Sequence, residues 1–356
     1  MTAFLDIDLG AIADNWRLLA GLSRGETAAV VKADAYGLGA AQVAPALAEA
    51  GCKSFFTAHL AEAVALRPLL PGARILVLNG LAPHAAADFI AHDIMPVLCS
   101  LEEIALWRAA AVRLERKLPA FLHIETGLNR LALPARDFAV LREDSTLLDG
   151  VMIDTVMTHL MAGEVLEDAR NQRQLAAFLA QSAAFPAAKR SIANSPGTFL
   201  GADFHLDLTR PGAALYGLNT SPAQPCAMRP VVRLSAPILQ IRELKPGEEV
   251  GYGGTWRAAR PSRIATVGVG YADGLQRALS SRATACFDDT PVPLVGRVSM
   301  DLATFDVTDV PANPGDPLVL LDARHGADAL AQEAGTIGYE ILTSLGRRYQ
   351  RRYINA

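Results

Sequence analysis

Lys32 closes the apolar run at residues 28–31, within Val30-Val31-Lys32-Ala33-Asp34-Ala35-Tyr36-Gly37-Leu38-Gly39. Burying an unpaired ammonium is costly, so a lysine at a strand exit is ordinarily a solvated end. Chemistry offers a second reason for it. A desolvated lysine loses its proton more readily and can form a Schiff base with an aldehyde. Other polar residues stand at comparable places: Glu125 and Arg130 follow a fifth apolar run, His159 a sixth, Asn194-Ser195 a seventh, and Arg210 ends an eighth. Scattered surface residues would not choose one end of successive runs so consistently.

The elements that must position them can be read from the hydrophobic pattern. Strand-like runs at 28–32, 54–58, 74–78, 94–98, 119–124, 150–157, 190–194 and 206–210 alternate with helical segments such as 40–50, 60–67, 101–113 and 168–184. The latter are rich in Ala, Leu, Glu and Gln, with apolar residues at helical spacing. Strand and helix repeated about eight times predict an α/β fold with a parallel sheet. A closed (β/α)8 TIM-type barrel fits, and an open doubly wound sheet fits the period almost as well. In a barrel the site lies at the carboxyl ends of the strands, where the polar residues above fall.

After Tyr216-Gly217-Leu218 the texture changes. Ser221-Pro222-Ala223-Gln224-Pro225 reads as a connection. Short β-rich runs at 231–234, 238–242, 263–269, 293–298, 303–307 and 318–321 follow, separated by Gly and Pro, with a helix at 327–335. The expected organisation is a barrel at 8–220 and a mostly-β domain at 221–356, with residues 1–7 as candidates to pair with the latter. The basic run at 347–352 reads as a solvated end.

Composition excludes several function classes. The chain has 356 residues, 51% hydrophobic and 20% charged, which suits a two-domain globular enzyme rather than a disordered or fibrous protein. A net charge of −4 makes nucleic acid and anionic membranes poor partners. Cys52, Cys99, Cys226 and Cys286 form no Cys-x-x-Cys pair, so neither a disulfide frame nor a metal site is expected. Met1-Thr2-Ala3-Phe4-Leu5-Asp6 lacks the basic start and apolar core of a signal peptide, so the cytoplasm is the expected compartment.

Ser195-Pro196-Gly197 has two readings. A serine cap followed by proline is a common helix start. The same free N–H groups and hydroxyl suit a phosphate, which barrels often bind after strands seven and eight. Gly212, just past the eighth run, would admit backbone close to the same group. Neither a P-loop nor a dinucleotide-binding glycine pattern is present, which argues against nucleotides.

The Lys32 segment resembles the cofactor-lysine segment of the alanine racemases, which use pyridoxal 5′-phosphate (PLP). Three further motifs are similar to that family's and stand in its order: Val269-Gly270-Tyr271-Ala272-Asp273-Gly274, Val295-Gly296-Arg297-Val298-Ser299-Met300-Asp301 and Gly338-Tyr339-Glu340. The resemblance implies a PLP-binding barrel, a C-terminal β domain and a homodimer whose sites combine both subunits. Lys32 would carry PLP and act as one base, and Tyr271 would be the second, reaching the site from the partner. His159 would contact that tyrosine. Tyr36, Asn194, Ser195, Gly212 and Tyr339 would hold the cofactor, chiefly its phosphate. Arg130 would lie beside the cofactor's phenolic oxygen and the substrate carboxylate, with Met300 offering its backbone to that carboxylate and Asp301 in support.

Arg210 would face the pyridine nitrogen. An arginine there donates and keeps its own proton, leaving the ring a weaker electron sink, which disfavours transamination. One departure stands out: His123 occupies the place where many relatives carry a carbamate-bearing lysine that braces the arginine. A bound anion such as chloride, neighbouring side chains, or an ordinary hydrogen-bonded histidine are the alternatives. His59 and His205 read as structural or surface residues. Tyr252 stands in a stretch that reads either as a plain glycine-rich loop or, by the resemblance, as a loop near the subunit interface where it would line the entrance. The function implied is the interconversion of L- and D-alanine for peptidoglycan. A racemase of serine or of broader range, a non-catalytic PLP-binding protein and a decarboxylase compete with it. Tyr271 counts against the second of these and Arg210 against the third.

Overall fold

The computed structural model describes residues 2–223 and 225–355. Gln224 of the expected connection and the terminal Met1 and Ala356 lie outside the described residues. The chain divides into two compact units. One comprises Ala13–Ala35 and Gly39–Met228; the other comprises the described residues up to Ile12, Tyr36–Leu38 and those from Arg229 onward.

The first unit is a closed parallel barrel. Seven strands pair in order from Ala29–Val30 through Ser54–Thr57, Arg74–Val77, Met95–Leu98, Leu118–His123 and Val151–Met157 to Lys189–Ser191. The eighth, Leu208–Thr209, pairs with Glu26–Thr27. Backbone bonds Ala28 N–H to Thr209 O, Val30 N–H to Pro211 O and Arg210 N–H to Ala193 O join it to strands one and seven. That ring closure decides for the barrel over the open sheet. The strands are apolar on both faces because the helices cover the outside and side chains fill the inside. Phe55, Phe56 and Phe121 are completely buried, and the Phe56 and Phe121 rings meet edge to face, 5.8 Å apart.

Immediately after the first strand the chain turns through Lys32–Tyr36 with the wrong hand. Ala33, Asp34, Ala35 and Tyr36 all have φ between 53° and 56°. Left-handed backbone costs about 1–2 kcal/mol per non-glycine residue, so the turn must be held from outside. Ala35 N–H bonds Val31 O, Gly39 N–H bonds Asp34 O, and the Asp34 carboxylate accepts Ala40 N–H at 2.7 Å.

In the second unit a mixed sheet runs in order Thr290–Pro293, Thr284–Phe287, Pro317–Leu321, Val232–Leu244, Phe4–Asp8 and Gln350–Ile354, with Ser262–Val267 and Ala303–Asp306 joined to the long strand's far half. Three expectations need correction. The runs at 231–234 and 238–242 are one strand, because Pro237 sits at the end of the ladder, opposite Pro317, and a bulge between Ile238 and Gln240 redirects the chain. The strand placed at 293–298 lies earlier, at Thr290–Pro293, in a hairpin whose tight turn uses Asp288 at φ 48°. The basic run is no solvated end: Gln350–Ile354 pairs parallel with Phe4–Asp8, and Arg352 binds the Asp6 carboxylate.

Candidate active site

The strand exits of the barrel unit bring Lys32, Arg130, His123, His159 and Arg210 within electrostatic reach of one another. Burial pushes the Lys32 amine below its ordinary value, the Arg130 charge adds to this, and Glu62 opposes it. Two cations and a half-desolvated amine beside a single opposing carboxylate make a site suited to an anionic ligand.

Glu62 was not anticipated. Its Oε1 accepts the Ala33 N–H at 2.6 Å, and Oε2 accepts those of Ala58 and His59 at 2.8 and 3.0 Å. One carboxylate therefore caps helix Leu60–Leu66 and pins the left-handed turn that begins beside Lys32. His59 is the N-cap residue of that helix. Glu62→Gln is expected to lower the Lys32 pKa further. The pH profile of amine modification by a small aldehyde should then move to lower pH; an unmoved profile contradicts the coupling.

Arg210 is 4% exposed and donates to two neutral acceptors, Ser191 Oγ and Thr158 O, the latter at 2.6 Å. Burial pushes its guanidinium down to about 9, which still leaves it charged at neutral pH. Arg130 is exposed, in the loop after Leu118–His123, and makes no hydrogen bond or ion pair among the described residues. Glu125 spends both oxygens on Gly127 and Asn129 N–H groups, shaping that loop.

His159 follows strand Val151–Met157. Asn194 Oδ1 accepts Gly197 N–H at 3.1 Å, so its amide nitrogen faces His159 Nε2 at 3.3 Å. Nε2 is thus the acceptor, and Nδ1 carries the proton. Gln174 holds the same stretch, donating to His159 O and Thr126 Oγ1 and accepting Met161 N–H. A signal for Gln174 existed: it shares the buried face of helix Ala169–Ser182 with Asn171, Leu175 and Phe178. Polar residues at helical core positions call for a partner.

Both site histidines are held neutral. Burial, then Arg210 and Arg130, push His123 down to about 3; the same causes, in the same order, push His159 well below its ordinary range. The unfolded chain protonates histidine near pH 6.5, so below that pH it binds protons that the folded state refuses. Stability present above pH 6.5 is therefore lost as pH falls toward the folded value. Urea unfolding of the full chain should lose about 2 kcal/mol between pH 7 and 5 through His123, with a further loss of the same sign through His159. His123→Gln should remove one share; an unchanged slope would contradict the burial argument.

Ser195 departs from the capping expectation. Asn194 caps the short Pro196–Phe199 turn, while Ser195 Oγ accepts the Gly212 and Ala214 N–H groups at 2.8 and 3.2 Å. The hydroxyl proton is left to donate, between the seventh and eighth strand exits. His205 is buried, bonded to Thr198 O at 2.9 Å, as a structural residue.

The other candidates belong to the second unit. The Tyr36 and Tyr339 rings lie 6.2 Å apart, and burial first, then Tyr339, pushes the Tyr36 phenol up. Tyr271 and Met300 are 43% and 54% exposed on adjoining loops. Tyr252, in its glycine-rich loop, is 73% exposed.

A closed α/β barrel with a perturbed lysine at its strand exits, together with a mostly-β unit, defines a class: two-unit proteins built on a (β/α)8-type barrel. Family models narrow it. Residues 7–220 match the alanine racemase N-terminal domain and residues 231–353 the C-terminal domain. The chain belongs to the alanine racemase family. It is 57% identical to the alanine racemase of Acidiphilium cryptum, over 98% of this chain and 97% of that protein. It is 50% identical to that of Methylobacterium nodulans, over 99% and 96%. The crystal structure of the Bartonella henselae alanine racemase, with covalently bound pyridoxal phosphate, superposes with a TM-score of 0.95 at 41% identity, covering 99% of this chain and all of that one.

Proposed function

We propose that the protein is a PLP-dependent alanine racemase that interconverts L- and D-alanine by two bases and supplies D-alanine for peptidoglycan in the cytoplasm. Its proposed domains are residues 8–220 and 221–356, and its proposed working unit is a homodimer. The observation that carries the reading is the perturbed Lys32 amine beside Arg130, His159 and Arg210, on a chain 57% identical to an alanine racemase.

The residues fit the cofactor. PLP, when bound, supplies an aldehyde for the amine and an electron-withdrawing ring that acidifies the substrate α-carbon. Lys32 is the amine and one base, and the burial and Arg130 charge that lower its pKa ease the loss of its proton. Ser195 O–H is a free donor for phosphate, and Gly212 is already gathered to it. Asn194, Tyr36 and Tyr339 are the remaining cofactor contacts we assign. Arg210 stays charged and donates without accepting a proton. Arg130 and the Met300 backbone take the substrate carboxylate.

Tyr271 is the proposed second base. Its exposure, and that of Met300, supports a role toward the partner subunit, where His159 Nδ1–H would meet the phenol. The reading is tested by assaying the protein with PLP against a panel of L-amino acids and resolving products by chirality. D-Alanine should dominate. A stronger signal with L-serine or a larger substrate would replace alanine; no D-product at all would end the racemase reading.

A further inference from the structure

We propose that Arg348 is a positioning residue: its guanidinium clamps the loop carrying Tyr271 to the loop carrying Met300 and so fixes the phenol for proton transfer. The proposal deepens the reading of Tyr271 as second base and rests on it.

The two loops already touch at their backbones. Tyr271 N–H bonds Ser299 O, and Ala272 N–H bonds Met300 O, each at 3.0 Å. Gly270 is required at this crossing, because a Cβ there would stand 2.3 Å from Met300 O and 2.4 Å from Ser299 O. Such a contact sets the loops' separation without fixing their tilt. Arg348 supplies what is missing. Its Nε and Nη2 bind both oxygens of Asp273, at 2.6 and 2.8 Å, while Nη1 binds Asp301 at 2.7 Å. Asp273 lies two residues beyond Tyr271 and also accepts Gly270 N–H at 2.9 Å, so the fork grips the tyrosine turn at both ends. Asp301 adjoins Met300. The chain returns to the same place through Gly346 N–H, which bonds Asp273 O at 2.9 Å.

The charges explain why arginine is used. The Asp273 side chain is 5% exposed, so its carboxylate needs a cation, whereas Asp301 is 56% exposed and does not. An exposed ion pair contributes little stability, so the Asp301 arm acts through geometry rather than through binding energy. A planar fork can hold two carboxylates at fixed angles; a lysine ammonium neutralises Asp273 but cannot fix both.

The test pairs Arg348→Lys with Tyr271→Phe in the PLP-loaded protein, reading α-proton exchange of each alanine enantiomer with heavy water. Arg348→Lys should slow the exchange assigned to the tyrosine about 10- to 100-fold and spare the one assigned to Lys32, since a misplacement near 1 Å costs that much. Backbone hydrogen exchange should quicken at residues 270–274 and 299–301 in the same variant without PLP. Asp301→Asn, which frees only the methionine loop, should raise KM more than it lowers kcat. Wild-type exchange of both enantiomers in Arg348→Lys overturns the clamp, and so does an equal fall in both with a lower melting temperature. If Tyr271→Phe itself spares both exchanges, the second-base reading fails instead.

Discussion

Lys32→Ala is expected to lower racemisation by at least about 10⁴-fold and to leave a protein that cannot retain the visible absorbance of bound PLP. No neighbour can replace the amine. Arg130 and Arg210 remain cationic and accept no proton at neutral pH. His159 is neutral, but its Nε2 is committed to Asn194 and its Nδ1 bears a proton. The barrel should survive the change. Lys32 sits under the repulsion of Arg130, and its removal creates no unpaired buried carboxylate, because Glu62 keeps the N–H groups of Ala33, Ala58 and His59. Calorimetry of the PLP-free variant should therefore show a melting temperature at or above that of the PLP-free parent chain. Activity within tenfold of the parent, measured by D-alanine formation, would sink the assignment of Lys32.

Much of this was legible because the barrel writes a period into the chain. Each strand buried on both faces is an apolar run, and each run ends where a polar side chain can serve the mouth. Lys32, His159, Asn194 and Arg210 could be found that way. What escaped depends on partners distant in sequence. Glu62 looks like any N3 helix cap until the left-handed turn after Lys32 is seen to lean on it. The turn itself is invisible in Ala33-Asp34-Ala35-Tyr36, since alanine has no preference for positive φ. Ser195 carries a strong capping signal that Asn194, one residue earlier, takes over. Arg348 lay in a run whose charge alone suggested solvent, because nothing local reveals the buried Asp273 it serves. In the β unit alternation is weak, and bulges and prolines displaced two strand assignments.

Tyr271→Phe should lower kcat/KM about 10²- to 10⁴-fold while PLP stays bound, since only a proton-transfer group is lost. The loss must be equal in both directions. Enantiomers have equal free energy in water, so the two kcat/KM values of a racemase stay equal in any variant. Direction-dependent rates therefore cannot reveal which base is missing; isotope exchange can. With Lys32 intact, one enantiomer should still exchange its α-proton with heavy water and keep its configuration, because Lys32 can remove and return protons on its own face. The other enantiomer should exchange at the rate lost with the phenol. Mixing this variant with Lys32→Ala gives a second, independent readout. If the Tyr271 phenol and the Met300 backbone, exposed on this chain, serve a neighbouring copy, each mixed dimer contains one site with both bases. Activity should then appear that neither variant has alone. Recovery on mixing requires subunit exchange, which mass spectrometry of the mixed dimer can verify. Mixed dimers without activity would place Tyr271 and Lys32 in the same subunit's site, and exchange of both enantiomers at parental rates would remove Tyr271 from the chemistry.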